Sequence, residues 1–165
     1  METQTNPFLA EIEHEAISTG HLLERVPASR MAWRPHPKSM SLGQLALHVA
    51  TIPANIATLL EGSGVEAANL AVHPEAASDR EIREAWQNTL GTVREKLKSS
   101  TEVEHSWSIT TEGKPLLTLP HSAVRRMLML NHWYHHRGQL TVYLRLLDVP
   151  IPSIYGPSAD EDPFA

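Results

Sequence analysis

The chemistry-bearing residues of this chain are its imidazoles. Three of its ten histidines fall within five positions, in the stretch NHWYHHRGQL from Asn131 to Leu140. His132 and His136 are four apart, which on a helix stacks them on one face with Cβ atoms roughly 5–6 Å apart. Such a pair can grip one divalent cation, although solvated surface histidines produce the same spacing. At about 100° per residue, His135 points well away from that face and reads as a surface residue. A third candidate, His48, sits in SLGQLALHVA and shares its face with Leu45, Ile52 and Leu59, with Gln44 and Asn55 beside it. Burying an imidazole without a partner is costly. Three inward imidazoles on two helices can meet that cost by sharing one ion, and three neutral histidines leave a fourth position for water or substrate. The competing reading is that each is an ordinary hydrogen-bonded core residue. His14 and His21 share a helix face and carry no expected ligand role, and His36, His73, His105 and His121 lie in loops or at a helix entrance, where no chemistry is expected.

Four amphipathic helices must position these groups. The first starts at Pro7, a residue suited to the first helical position, and keeps its period through Phe8, Ile12, Ala16, Leu23 and Val26 before Pro27. The second starts near Ser41, a good N-cap, and runs to Leu59–Leu60 with Pro53 inside it, which should kink it. The third starts where Ser78 and Glu81 have capping-box spacing and carries Ile82, Trp86, Leu90, Val93 and Leu97. The fourth runs from Pro120 to about Leu147. Its inward face is read as His132, His136, Leu128, Met129, Gln139, Tyr143, Leu146 and Leu147. Between the third and fourth, SWSITTEGKPLLTL alternates around its EGK and suggests a short hairpin or an ordered loop. The expected fold is all-α: one domain over residues 1–165, an antiparallel four-helix bundle with long loops. The apolar tail after Pro150 should either fold back so that Tyr155 offers its hydroxyl to the pocket mouth, or pack on the outside or on a partner chain to cover apolar surface.

Composition narrows the partners. The formal net charge of −5 gives no basis for nucleic-acid binding. The chain has no cysteine, so it makes no disulfide and any thiol chemistry takes its thiol from outside. The opening METQTNPFLAEIEHEAIS lacks the apolar core of a signal peptide, and no apolar run reaches the length of a membrane span. A cytoplasmic protein is expected.

The residues SLGQLALHVA, HWYHHRGQL and LLDVPIPSIYGPSADE together resemble the DinB/YfiT-like family of metal-binding four-helix-bundle proteins, over nearly the whole chain. The resemblance implies that His48, His132 and His136 bind one divalent metal ion inside the bundle, and that the protein is a homodimer. All-imidazole coordination suits zinc or nickel, and iron or copper are also compatible. Characterised relatives include metal-dependent S-transferases and isomerases that use low-molecular-weight thiols; others have no known reaction.

The expectation is therefore an S-transferase whose partners are a small-molecule thiol and an electrophile. A thiol that coordinates a cation loses its proton. Gln44, Asn55, Gln139 and Tyr143 are the catalytic candidates, as groups that could orient ligand or substrate, and Arg137 could pair with an acidic group, even across a dimer contact. Two alternatives stand beside this. A metal-dependent hydrolase needs a general base, and no Glu sits in the histidine motif. A metal-stabilised stress-response binding protein would need no reaction.

Overall fold

The structure, a computed structural model, describes residues 6–98 and 104–164. Helix α1 spans Pro7–Glu24, with Pro7 in its first turn and the Asn6 side chain accepting from the Phe8 N–H at 3.0 Å. A single 3₁₀ turn, Ala28–Arg30, follows. Helix α2, Leu42–Leu59, opens on a full capping box: the Ser41 hydroxyl accepts from Gln44 N–H, and the Gln44 side chain accepts from Ser41 N–H. It runs unbroken through Pro53, so it does not end at Ile52. Then come strand β1 (Gly64–Glu66), the single turn α3 (Ala67–Leu70) and helix α4 (Asp79–Lys98). Strands β2 (Ser106–Thr111) and β3 (Lys114–Pro120) form the hairpin. The short α5 (His121–Val124), a seven-residue π-helical segment (Arg125–Asn131) and α6 (His132–Leu146) then form one run.

The expected all-α bundle is corrected. The helices are joined by a three-stranded mixed sheet of order β1-β2-β3, with β1 parallel to β2 and β2 antiparallel to β3. The hairpin was legible in sequence; β1 was not. Its pairing depends on a glycine, because a Cβ at Gly64 would sit 2.2 Å from the Ser108 carbonyl oxygen. The hairpin turn places Glu112 and Gly113 both at positive φ, which suits the right-handed twist of the strands. The Glu66 carboxylate accepts from the N–H groups of both turn residues and from the Thr110 hydroxyl. Trp107, 1 % exposed, donates its indole N–H to the Leu59 carbonyl at 3.0 Å. The sheet is thereby pinned to the C-terminal end of α2.

The core lies among the helices. Leu42, Leu45, Val49 and Ile52 of α2 meet Ile12 and Leu22 of α1, Ile82 and Val93 of α4, and Leu140 and Leu144 of α6. Helix α2 is long and apolar enough to cross a membrane by length and composition, yet 61 % of that window is buried inside this core. Its apolarity is accounted for by its central position between the other helices.

Candidate metal centre

Helix α2 presents His48 and α6 presents His132 and His136 to one point. One nitrogen from each lies within 4.8 Å of the others. The Nε2 atoms of His48 and His132 stand 3.1 Å apart, close to the separation of about 3.3 Å that two nitrogens adopt around a tetrahedral zinc at 2.0–2.1 Å. The His48 ring centroid lies 5.3 Å from that of His132 and 4.6 Å from that of His136. All three are half-buried. His135 is exposed, as its position on the helix predicted.

The donor chemistry fits a cation. The Gln139 carbonyl oxygen accepts from His136 Nδ1 at 2.7 Å. That bond fixes the proton on Nδ1 and leaves the Nε2 lone pair free. Burial pushes the His48 imidazole down to about 3 and His136 to about 4, with the charge of the neighbouring histidines adding to the effect. His132 is lowered too, first by burial. These shifts favour the neutral imidazole, with one nitrogen lone pair free, the state a metal ligand requires.

The surroundings correct several expectations. The fully buried stripe of α6 is Trp133, Arg137, Leu140 and Leu144, one position on from the predicted face. Gln139 is exposed and Leu146 is 58 % exposed. His132 therefore stands at the margin of the core and, with His48 of α2, borders a cavity. Tyr143 does not reach the site: its hydroxyl donates to the Met40 carbonyl at 3.3 Å, and its ring meets Trp33 edge-on. Gln44 is committed to the α2 cap, and its side-chain N–H₂ donates to the His73 carbonyl at 3.0 Å. Asn55 does line the cavity beside His48 and His132.

That cavity, of about 390 Å³, is walled by Ile52, Ile56, Leu70, Leu128 and their neighbours, and its polar lining is His48, His132, Asn55, Asn69 and Thr58. No Asp, Glu, Lys or Arg of the described residues lines it. Leu128 reaches it from the π-helical segment immediately before His132. Such wide turns gather at functional positions, because they re-aim side chains on an otherwise regular helix.

Behind His136, Arg137 is 1 % exposed and pairs with Glu15 of α1 at 2.6 Å. It also donates to the Ser18 and Thr19 hydroxyls and to the Tyr155 oxygen. The Tyr155 hydroxyl in turn donates to Glu15 at 3.0 Å. So the acidic partner expected for Arg137 lies within the same chain. The tail does fold back onto the helices, but Tyr155 meets this network and not the 390 Å³ cavity.

The residue that sequence reasoning missed is His73. It lies in the loop between α3 and α4, its ring centroid 4.7 Å from that of His48 and nearly perpendicular to it. No local pattern marks it, since it belongs to no periodic segment.

The chain is 24% identical over 159 residues to the uncharacterised protein YrdA of Bacillus subtilis, covering 93% of this chain and 89% of that one. It superposes on a DinB-like protein of Bacillus cereus with a TM-score of 0.67 at 23% identity, covering 90% of this chain and 95% of that one. For the DinB-like protein YjoA of Bacillus subtilis the TM-score is 0.68 at 20% identity, covering 90% and 98%. At these identities the structural likeness speaks for the fold. The sequence pattern of the DinB family matches residues 1–162, and the chain belongs to that family.

Proposed function

We propose that the protein is a metal-dependent S-transferase that joins a low-molecular-weight thiol to an uncharged, largely apolar electrophile. The observation that carries this reading is the position of the three imidazoles: two of them form part of the wall of a mostly apolar cavity. His48, His132 and His136 would hold one divalent ion, zinc or nickel before iron or copper. When bound, that ion would deprotonate a coordinating thiol at neutral pH and leave a nucleophilic sulfur at the cavity wall. The apolar wall then orients the electrophile and excludes water, and the Asn55 and Asn69 amides offer hydrogen bonds to its polar end. Among the described residues no charged side chain lines the wall to neutralise an ionic substrate, which favours a neutral one. The same lack of a carboxylate weighs against hydrolysis, which would need a general base beside the water. In this reading the protein works in the cytoplasm as a homodimer. The outward-facing Val142 and Leu146, 57 % and 58 % exposed one turn apart on α6, support a self-contact.

The test is consumption of a generic haloalkyl or haloaryl electrophile by protein loaded with zinc or nickel, against a panel of small thiols. With the native chain, thiol-dependent formation of the thioether is expected, the carbon–halogen bond breaking and one halide ion leaving for each carbon–sulfur bond made. It should be lost in His132→Ala together with the metal, and in Leu128→Trp with the metal retained, because the indole fills the cavity. A metal-loaded chain that accelerates none of the thiols would overturn the enzyme reading and leave a metal-binding protein.

A further inference from the structure

A fourth imidazole stands at the site with one ring nitrogen unpaired among the described residues. The Nδ1 atom of His73 is buried and makes no hydrogen bond. A buried nitrogen left unpaired forfeits its hydration without compensation, a cost of about 1–3 kcal/mol, and such groups are rare enough that each calls for a reason.

The fold goes to some length to place this ring. Gln44 and His48 are one turn apart on α2, and the Gln44 side chain holds the His73 backbone through its carbonyl oxygen. Two residues on, the Glu75 carboxylate accepts from the Ser41 hydroxyl. Farther along, Ala77 N–H donates to the Glu81 carboxylate at 2.7 Å. These bonds tie the loop by its backbone and flanking residues to the starts of α2 and α4. They leave the His73 ring itself without a hydrogen-bond partner on Nδ1, edge-on to His48. His73 stands outside the three nitrogens that lie within 4.8 Å of one another, so joining them takes a rotation about its side-chain bonds.

We propose that His73 is a displaceable fourth nitrogen ligand of the metal site. The proposal rests on the reading of His48, His132 and His136 as metal ligands. Three imidazoles leave one tetrahedral position open, and His73 is the additional nitrogen donor beside His48. With His73 in that position the ion is saturated by four neutral ligands, and its two positive charges stay uncompensated. An anionic sulfur or oxygen ligand then has the electrostatic advantage in exchanging with it. Because His73 is carried by a loop while the other three are carried by helices, it is the ligand that leaves. The site is thus closed at rest and opened by the arriving anionic ligand.

The deciding measurement is X-ray absorption at the zinc edge on the full-length chain loaded with zinc alone. Four imidazole nitrogens are expected. The His73→Ala chain should show three imidazoles and one oxygen, and bind cobalt(II) more weakly by about 10- to 100-fold or more, a range that loss of even an outer-shell partner can reach. Addition of a small thiol to native zinc protein should replace one nitrogen by one sulfur. Native protein with three imidazoles and an oxygen would overturn the proposal while leaving the three-histidine site intact; the native spectrum decides this even if His73→Ala fails to fold. A native chain that takes up no divalent ion would overturn the metal reading itself, and this proposal with it.

Discussion

His48 Nε2 and His132 Nε2 face each other at 3.1 Å across the boundary between α2 and α6, 84 residues apart in the chain. Two neutral imidazoles can satisfy that contact with one shared proton. His136 then has a nitrogen lone pair beside them and no proton to receive. One divalent ion would serve all three at once, and on that reading purified protein is expected to hold about one ion per chain. Elemental analysis of His48→Ala, His132→Ala and His136→Ala should show most of it gone, and His135→Ala should retain it. Loss in His135→Ala with retention in His136→Ala would reverse the assignment of faces on α6.

Gln139 touches His136 from the solvent side, and its carbonyl oxygen holds the proton on Nδ1. Gln139→Leu removes that acceptor without emptying the space. Zinc or nickel affinity measured by competition with a chelating dye should fall by about 10- to 100-fold, the usual cost of losing a partner that orients a ligand. The melting temperature of the metal-free protein should be unchanged, because Gln139 is exposed.

The histidine cluster predicts the acid sensitivity of the metal-free protein. In the folded chain burial depresses His48 to about 3 and His136 to about 4, and lowers His132. In the unfolded chain imidazoles titrate near about 6.5. Between those values the unfolded state binds more protons than the folded one, so stability rises with pH. The contribution is fully present above about pH 6.5 and is lost as pH falls from there toward the folded values. Thermal melts of chelated protein from about pH 7.5 down to about pH 5 should show a falling midpoint. His48→Leu should flatten that slope, since it removes the group held furthest from its ordinary titration. An unchanged slope would mean that other groups control the acid limb.

Arg137 and Glu15 form a buried ion pair directly behind a candidate ligand. Arg137→Met leaves the Glu15 carboxylate without its cation and is expected to cost about 3–5 kcal/mol in urea unfolding. Combining it with Glu15→Gln removes the stranded charge and should recover a large part of that loss. If the double variant is as unstable as the single one, the Arg137 contribution lies in its packing against the rings of Trp133, Tyr134 and Tyr155.

Local patterns carried much of this protein. Pro7 and Ser41 start helices because capping and proline geometry act over three or four residues. The 3.6-residue period put His132 and His136 on one face and His135 off it, and alternation around Glu112–Gly113 marked the hairpin. These signals depend on neighbours in sequence, so they can be read without the fold. What the tertiary structure alone decided depends on groups far apart in the chain. Strand β1 is three residues long, too short for a period, and exists because its backbone finds β2 and because Gly64 admits the Ser108 carbonyl. The buried stripe of α6 falls on Trp133 and Arg137, one position on from the calculated face, because Trp133 packs beside Trp86 of α4 and Arg137 pairs with Glu15 of α1, contacts that rotation alone does not show. The same calculation placed Gln44 beside His48, but the cap of α2 and the His73 carbonyl claim its side chain. Of the four clustered imidazoles, three sit on helices, where spacing exposes them to inference. His73 arrives on a loop, and only long-range hydrogen bonds bring it to the others.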